Sequence, residues 1–307
     1  MTQVLAILVL FLFLLGGIAL AGVLDRAVPA LVAGRSLQKS LVDPFTIASS
    51  FALAQASETE RPDRVNWILA PILYFTLAAI GLSIVPFAPG VVAANLDAGI
   101  VLWGACEALT VVAVFLHGWS ANSPLPLIGA YRYVAIGLPV MLLSMFVLIA
   151  AALPAQSLAV TDIVEAQRSI WNIVRQPAGL VLFLMLGLSL SLRGPFDYAD
   201  PYDLAGGTSA EISGTARLTW WLARLAMLVS VSAMTATVFL GGYLGPFLPG
   251  VVWLGLKTSL VLVVLVGAGE VFARLPPDRM MNLIWLALLP LSFLMLVAVG
   301  VELLLWG

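Results

Sequence analysis

Charged side chains inside apolar stretches are the first candidates for chemistry in this sequence. Glu107, Arg224, Lys257 and Glu270 each lie within a long run of apolar residues. A charge at bilayer depth costs at least about 2.5–3.5 kcal/mol per residue on insertion scales, so such residues usually line ion routes or pair with a partner. Glu107 lies halfway along its run and is the strongest candidate for a proton relay. A structural hydrogen bond, or a bridge to another subunit, is the alternative role for this carboxyl group.

Carboxylates also cluster in one polar segment, which carries Asp197, Asp200, Asp203 and Glu211 without any lysine. Like charges that lie close together raise one another's pKa, which suits a loop that binds protons or changes conformation with its charge. Prolines and glycines in this segment exclude a plain helix. The cluster predicts a cationic partner surface, and ordinary solvated carboxylates are the alternative.

The remaining charges predict ion pairs and a docking surface. Glu270 and Arg274 are four residues apart, so a helix would bring them together as a salt bridge. Arg217 and Arg224 share a helix face and would extend a cationic wall toward the acidic segment. Lys257 lies close to the end of its run, from which a long side chain reaches the surface. The predicted cationic wall and docking surface comprises Asp25, Arg26, Arg35, Arg132, Arg217, Arg224 and Arg274.

One histidine and one cysteine limit the cofactor chemistry of the chain. Cys106 lies in an apolar stretch, and His117 precedes Gly118 and Trp119. A disulfide, a zinc site, a haem ligand pair and an iron–sulfur cluster all need more such residues, so no redox centre or metal site is expected. His117 beside a tryptophan predicts an interfacial anchor, with a proton-carrying role as the alternative.

Composition excludes a water-soluble domain. The chain has 307 residues, of which 62% are hydrophobic and 10% charged, whereas soluble domains carry about 25% charged residues. The fourteen Lys and Arg nearly balance the sixteen Asp and Glu, so no basic surface for nucleic acid is expected. The sequence predicts an all-α polytopic membrane protein, because only helices and closed barrels cross a bilayer and the apolar runs are too long for barrel strands.

Eight transmembrane helices are predicted, in a single membrane domain over residues 1–307. Long polar loops interrupt them at 25–64 and 193–217, and a soluble partner is expected to dock there. The predicted helices cover residues 2–24, 65–88, 98–117, 130–153, 177–193, 215–240, 251–272 and 280–304.

Cations concentrate in alternate connections between these helices. By the positive-inside rule those connections are cytoplasmic, which places both termini outside in a multi-pass protein of the cell membrane. The residues that carry this prediction are Arg26, Arg35, Lys39, Arg61, Arg64, Arg132, Arg193, Arg217, Arg274 and Arg279.

Three blocks of sequence resemble a known family, in the family's order. The block from Asn95 to Arg132 includes Asn-Leu-Asp-Ala-Gly, Gly-Trp-Ser-Ala-Asn-Ser and Gly-Ala-Tyr-Arg, and the block from Pro195 to Gly214 reads as an acidic loop. The block from Asp278 to Pro290 opens the last helix, and Leu37-Gln38 is among the weaker matches. Together they resemble the membrane subunit of respiratory complex I that forms the quinone chamber. The same family serves energy-converting [NiFe]-hydrogenases and related assemblies.

This resemblance implies a membrane anchor that holds no redox cofactor itself. Its implied partners are soluble redox subunits with iron–sulfur clusters, of the hydrogenase or quinone-reductase type, and antiporter-like membrane subunits that move protons or sodium. Quinone would bind at the partner interface. We expect a non-catalytic subunit of a complex I-like complex that couples electron transfer to ion movement.

Several departures from the family pattern favour a quinone-independent assembly. Gly34-Arg35 stands where the family has a long loop at the quinone entrance, and Met141 stands near the usual proton-route glutamate. The family's paired arginines before the last helix are reduced to Arg274. Two other classes of function remain open, namely a stand-alone ion-coupled carrier that uses Glu107 and Glu270, and a purely structural anchor.

Overall fold

The computed structural model describes residues 2–35, 37, 40 and 42–306 of the chain. Gln38, which belongs to a weak family match, and Lys39, one of the cations used for orientation, lie outside the described residues. Within them, regular structure is helical apart from one isolated bridge between Ala88 and Val91. The helices are α1 Thr2–Val32, α2 Asp43–Leu53, α3 Arg64–Ser83, α4 Gly99–Ser120, α5 Pro124–Ala152, α6 Val160–Ala166, α7 Asn172–Arg175, α8 Pro177–Leu190, α9 Gly214–Phe239, α10 Gly250–Val271, α11 Pro277–Leu283 and α12 Leu289–Trp306.

Among the described residues, seven helical stretches are long and apolar enough to cross a membrane: α1, α3, α4, α5, α9, α10 and the continuous α11–α12 run. The prediction of an all-α polytopic membrane protein is therefore confirmed. The eighth predicted span exists as α8, but its 14 residues rise only about 21 Å, less than the ~30 Å hydrocarbon core. It is short because Pro177 starts it and the left-handed Leu192 (φ 53°) follows its end.

The predicted polar loop at 25–64 is partly helical. α1 continues to Val32, and α2 lies within the loop, with Pro44 near its start and Asp43 in its first turn. Proline fits the first turn of a helix because the amide that it lacks has no intrahelical partner there. α2 packs against α1 and α9 while Phe45 and Leu53 stay exposed, which is the arrangement of a helix lying on a membrane surface.

α9 is the central helix of the bundle. Every residue from Leu225 to Phe239 is buried, and α1, α3, α8 and α10 surround it. Several of its serines and threonines satisfy their hydroxyl groups on the helix itself, as Ser232 does on the carbonyl of Leu228 at 2.7 Å. Small residues permit this packing, since a Cβ on Gly17 of α1 would lie 2.6 Å from Val229.

The last span contains a turn of π-helix at Ile284–Leu288. Pro290 follows it and has no amide hydrogen for the carbonyl one turn earlier, which explains the local widening. The predicted helix at 280–304 is thus present within a longer irregular run.

Candidate functional site

The acidic loop, residues 191–213, connects α8 to α9. Its chain reverses through left-handed residues at Leu192, Ala205, Gly206 and Gly207, and it holds short 3-10 turns at 202–204 and 207–209. A Cβ on Gly207 would collide with the carbonyl of Ala199, so glycine is required there. The prediction that this segment is not a plain helix is therefore correct.

Asp200 is the best-anchored carboxylate of the loop, with 8% of its side chain exposed. Arg224 of α9 donates from Nη1 to its Oδ2 at 2.8 Å, and Ser209 donates to the same oxygen at 2.8 Å. Thr208 donates to Oδ1 at 2.5 Å. The second guanidinium nitrogen, Nη2, donates to the carbonyl of Leu192 at 2.6 Å, so Arg224 holds two parts of the loop at once.

Asp197 forms a bidentate pair with Arg274, which donates from Nε to Oδ1 at 2.7 Å and from Nη2 to Oδ2. The predicted salt bridge between Glu270 and Arg274 is wrong. α10 ends at Val271 and Phe272 is extended, so the helical spacing that the bridge requires is lost. Glu270 is exposed at the end of the helix instead.

Asp203 pairs with Arg132 of α5, whose Nη1 donates to Oδ2 at 2.6 Å. This guanidinium lowers the pKa of the Asp203 carboxyl, against the expectation that clustered carboxylates raise one another. Glu211, the fourth predicted member, accepts a hydrogen bond from Ser123 at 3.0 Å. Because three of the four carboxylates bind arginines of the same chain, the loop does not need a cationic partner for neutralisation.

A fourth ion pair joins the start of the acidic loop to α1. Arg193 Nη2 lies 2.6 Å from Asp25 Oδ1. Together with Asp197, Asp200 and Asp203, the pair ties the loop to α1, α5, α9 and the segment after α10.

The predicted cationic wall is divided between several places. Arg217 lies over the ring of Phe51 in α2, with 5.0 Å from Cζ to the ring centre, and does not extend toward the loop as Arg224 does. Arg26 and Arg35 line a cavity of about 440 Å³ with Asp25 and Asp43. The cations therefore serve separate contacts, and only some of them reach the carboxylates.

A polar cavity of about 440 Å³ lies between the acidic loop and the end of α10. Five of its twelve lining residues are charged. Glu270 is one of them, although it forms no ion pair among the described residues. The charged lining residues are Arg193, Asp197, Arg224, Glu270 and Arg274.

Glu107 lies in the interior between α4 and α5, with 2% of its surface exposed. Ser144 donates to Oε2 at 2.6 Å, while Oε1 has no hydrogen-bond partner among the described residues. The glutamate lies on the face of α4 that also carries Trp103, Thr110 and His117, all of them buried. Glu107 and His117, which lies below the acidic loop, are separated by about three helical turns, or roughly 15 Å along α4.

His117 is not the interfacial anchor that the sequence predicts. It is buried and stacks on Trp220 of α9, with ring centres 3.7 Å apart and ring planes 15° apart. Neither of its ring nitrogens has a hydrogen-bond partner among the described residues. Trp220 in turn packs on Tyr74 at 5.1 Å, so an aromatic cluster fills the interior below the acidic loop.

Sequence reasoning missed this aromatic cluster. Trp220 lies in α9, one helical turn before Arg224, and Tyr74 lies in α3. The only signal in the sequence that these two residues are buried together was their position within apolar runs. Tryptophan and tyrosine carry a polar group that needs a partner when buried, which makes their place inside a bundle informative.

Lys257 lies at the opposite end of the bundle from the acidic loop. Its ammonium donates to the carbonyl groups of Gly242 at 3.0 Å and Leu244 at 2.6 Å. It also lies 4.5 Å from the ring centre of Trp171. The side chain does reach toward the helix end as predicted, but it binds the 240–250 loop and is only 6% exposed.

A second polar network, which sequence reasoning also missed, lies beside Lys257. Glu165 accepts hydrogen bonds from Arg168 and from the hydroxyl of Tyr243. The arginine lowers the pKa of Glu165, and burial raises the pKa of Tyr243. Gln167 connects the same region to α9 by donating to the carbonyl of Thr237 at 3.0 Å.

The fold and the site define a multi-pass helical membrane protein whose polar loop is tied to its helices by arginine–aspartate pairs. A model of the family described as NADH dehydrogenase matches residues 2–300. The chain belongs to this family, which confirms the resemblance to the complex I membrane subunit.

Similar proteins from Rhodopseudomonas palustris point to the same family. The chain is 35% identical over 240 residues to the H1 subunit of NADH-quinone oxidoreductase from strain HaA2, covering 78% of this chain and 75% of the relative. The H1 subunit from strain BisB5 is also 35% identical with the same coverage. The H2 subunit from strain ATCC BAA-98 / CGA009 is 33% identical over an equal length.

Proposed function

We propose that this chain is the non-catalytic membrane subunit of a complex I-like redox complex and couples a docked soluble arm to ion movement. One observation carries the proposal: each aspartate of the acidic loop binds an arginine from a different part of the bundle. Family membership supplies the class of assembly, and these pairs supply a physical route by which a change at the loop reaches the helices.

The loop is suited to receive a soluble partner. Tyr202 projects from it and is fully exposed, while Arg224 and Arg274 hold the loop from below. Rigid packing transmits a displacement because a well-packed interior does not absorb it. A partner that shifts the loop would therefore pull on α5, α9 and the segment after α10 together.

Glu107 is the proposed ion relay within the bundle. It is the buried carboxyl group of α4, and a buried carboxyl with one unpartnered oxygen is able to take up and pass a proton when its surroundings change. Protons would enter from the aqueous side through the polar cavity between the acidic loop and α10, whose lining includes Glu270. This arrangement replaces the family's usual glutamate, where this chain has Met141.

The proposed complex lies in the bacterial inner membrane. Its partners are soluble redox subunits with iron–sulfur clusters and antiporter-like membrane subunits. The relatives are named for an NADH-quinone oxidoreductase, which favours a quinone-linked arm with quinone bound at the partner interface. The short segment at Gly34-Arg35 favours a quinone-independent arm of the hydrogenase type. Purification of the complex from its native membrane, followed by identification of its soluble subunits, distinguishes the quinone-linked arm from the hydrogenase-type arm.

The coupling experiment compares ion uptake with electron transfer in sealed vesicles that contain the intact complex. Glu107→Gln keeps the shape and the hydrogen bond from Ser144 but removes titration, so we expect assembly and electron transfer to survive while ion uptake per electron falls. Asp162→Asn is the control, because Asp162 is an exposed carboxylate of α6 that accepts a hydrogen bond from Ser157. Unchanged ion uptake per electron in Glu107→Gln would contradict the relay role.

The same vesicle experiment distinguishes this proposal from the two alternatives, a stand-alone carrier and a structural anchor. A carrier would move ions without companion subunits, and an anchor would assemble while Glu107→Gln had no effect on uptake. Glu107 lies inside the bundle and Glu270 at its edge, so no contact between these two described carboxylates supports the carrier.

A further inference from the structure

A groove of about 460 Å³ lies between α3 and α9, at the end of the bundle that carries the acidic loop. The segment before α3 forms one side of its polar rim, and Ser213, the last residue of the acidic loop, belongs to the other side. Ser57 donates its amide to Ser213 Oγ at 2.6 Å, and that hydroxyl donates to the carbonyl of Gln55 at 3.0 Å. Hydrogen bonds therefore hold the two sides of the rim together.

The wall of the groove changes from polar to apolar along α3. Arg64, Ile68 and Ile72 are spaced by four residues, so they lie on one face of this helix over a rise of about 12 Å. Ile68 and Ile72 are exposed in a stretch that is long and apolar enough to cross a membrane, so they face lipid. Thr215 and Thr219 line the polar end from α9. A polar rim above an apolar wall fits a molecule with a polar headgroup and an apolar chain.

Two opposite charges lie at the polar end of this groove. Arg64 Nη2 is 3.3 Å from Glu58 Oε2, and both side chains are exposed. This single contact leaves other guanidinium donors and the second carboxylate oxygen without a partner among the described residues. α3 and α9 both begin at this end, and the first turn of a helix favours an anionic group. The rim therefore offers a site for an anion directly beside a site for a cation.

We propose that this groove binds one phospholipid whose headgroup carries both a phosphate and a primary ammonium, as phosphatidylethanolamine does. Its phosphate accepts hydrogen bonds from Arg64, its ammonium donates to Glu58, and one acyl chain lies along Ile68 and Ile72. An anionic phospholipid would satisfy Arg64 but would place a second negative charge beside Glu58. A quinone has an uncharged head and would compensate neither charge. The inference concerns the contact with lipid and depends neither on the ion relay nor on the soluble arm.

The experiment compares three photoactivatable lipids in phosphatidylcholine vesicles that contain the intact complex. The probes share one photoreactive acyl chain and carry the headgroup of phosphatidylethanolamine, phosphatidylglycerol or phosphatidylcholine, whose methylated ammonium has no hydrogen to donate. We expect the phosphatidylethanolamine probe to label residues 68–72 about fivefold more than the other two, the effect of one exposed charge pair. Equal labelling by the three probes, or a preference for either of the others, would overturn the proposal.

Single substitutions in the charged pair test which headgroup atoms are bound. Glu58→Gln removes the negative charge that faces the ammonium, so the preference over phosphatidylcholine should disappear. Arg64→Gln removes the phosphate contact, so labelling by phosphatidylethanolamine should fall about fivefold. Glu60→Gln and Arg61→Gln are the matched controls, because both residues are exposed in the same segment and neither lines the groove. A preference that survives the first two changes, or that the controls abolish equally, contradicts the assignment of the headgroup.

Filling the groove tests where the acyl chain lies. Ile68→Trp should abolish the preferential labelling, whereas Leu260→Trp should preserve it. Leu260 of α10 is the matched control, because it lies outside the groove and is 60% exposed against 63% for Ile68. Preferential labelling that persists in Ile68→Trp, in a complex that keeps its unfolding temperature, counts against the site. Displacement of the probe by a short-chain quinone would also overturn the proposal, since it would identify the occupant as a quinone.

Discussion

Arg224 connects to two points of the acidic loop, with Nη1 2.8 Å from Asp200 Oδ2 and Nη2 2.6 Å from the carbonyl oxygen of Leu192. Asp200 also accepts from Thr208 and Ser209, so its two oxygens receive three donors from three residues. A partly buried carboxylate that accepts this number of hydrogen bonds is held in one position. The pair therefore fixes the loop to the central helix α9.

Breaking this pair from one side should be costly. Asp200→Asn leaves the Arg224 guanidinium without its counter-charge, and we expect unfolding to become easier by about 3 kcal/mol, the lower part of the range for a buried pair. Removing both charges in Asp200→Asn with Arg224→Met should cost less than the sum of the single changes. Thermal or denaturant unfolding of the purified complex measures this, and additive effects would show that the residues act independently.

The orientation of the chain can be tested at the two ends of α9. Tyr202 precedes this helix and Phe247 follows it, and both side chains are fully exposed. Tyr202→Cys should react with an impermeant thiol reagent only after the membrane is opened, and Phe247→Cys should react in intact cells. The native Cys106 is buried and provides the background. The reverse labelling pattern would invert the topology.

Lys257→Met should destabilise the end of the bundle opposite to the acidic loop. Methionine keeps the apolar stem but removes the donor to Gly242 and Leu244 and the contact with Trp171. Hydrogen bonds to a charged group contribute about 1.5–3 kcal/mol, so a loss of about 2 kcal/mol is expected. The loss of stability is measured by the rate of protease cleavage in the 240–250 loop and by the unfolding midpoint. Lys257→Arg, which keeps the charge, is the comparison, and equal loss in both variants would point to shape alone.

The pH dependence of the acidic loop follows from Asp203. Arg132 lowers the pKa of this carboxyl, so the pair is fully formed above the unfolded-state pKa and is lost only as pH falls through the lower folded-state value. A spin label at Tyr202→Cys should keep the same mobility from about pH 8 to about pH 5, well above the usual Asp pKa.

Asp203→Asn is the control for this measurement. It removes the ion pair at every pH, so the label should be more mobile throughout the range and equally so at each pH. A label in the unaltered loop that becomes mobile between about pH 7 and pH 5 would instead indicate carboxylates with raised pKa values.

Helix class and the approximate place of the spans followed from composition and the length of apolar runs, because the bilayer imposes both. The length of α8 did not follow, since its end depends on the turn at Leu192 and on packing inside the bundle. The same limit applies to Arg274. The spacing of four residues predicted Glu270 as its partner, but α10 ends at Val271, before Arg274. Asp197, from a distant segment of the chain, pairs with Arg274 instead.

Residue type and depth determined which groups need compensation. Glu107, Arg224 and Lys257 lie in apolar runs, and any fold of this sequence has to supply partners for them. Only the tertiary structure decided what those partners are: Ser144 for Glu107, Asp200 for Arg224 and backbone carbonyl groups for Lys257. The physical reason is that burial cost depends on local composition, whereas hydrogen bonds and ion pairs form between segments that the packing of helices brings together.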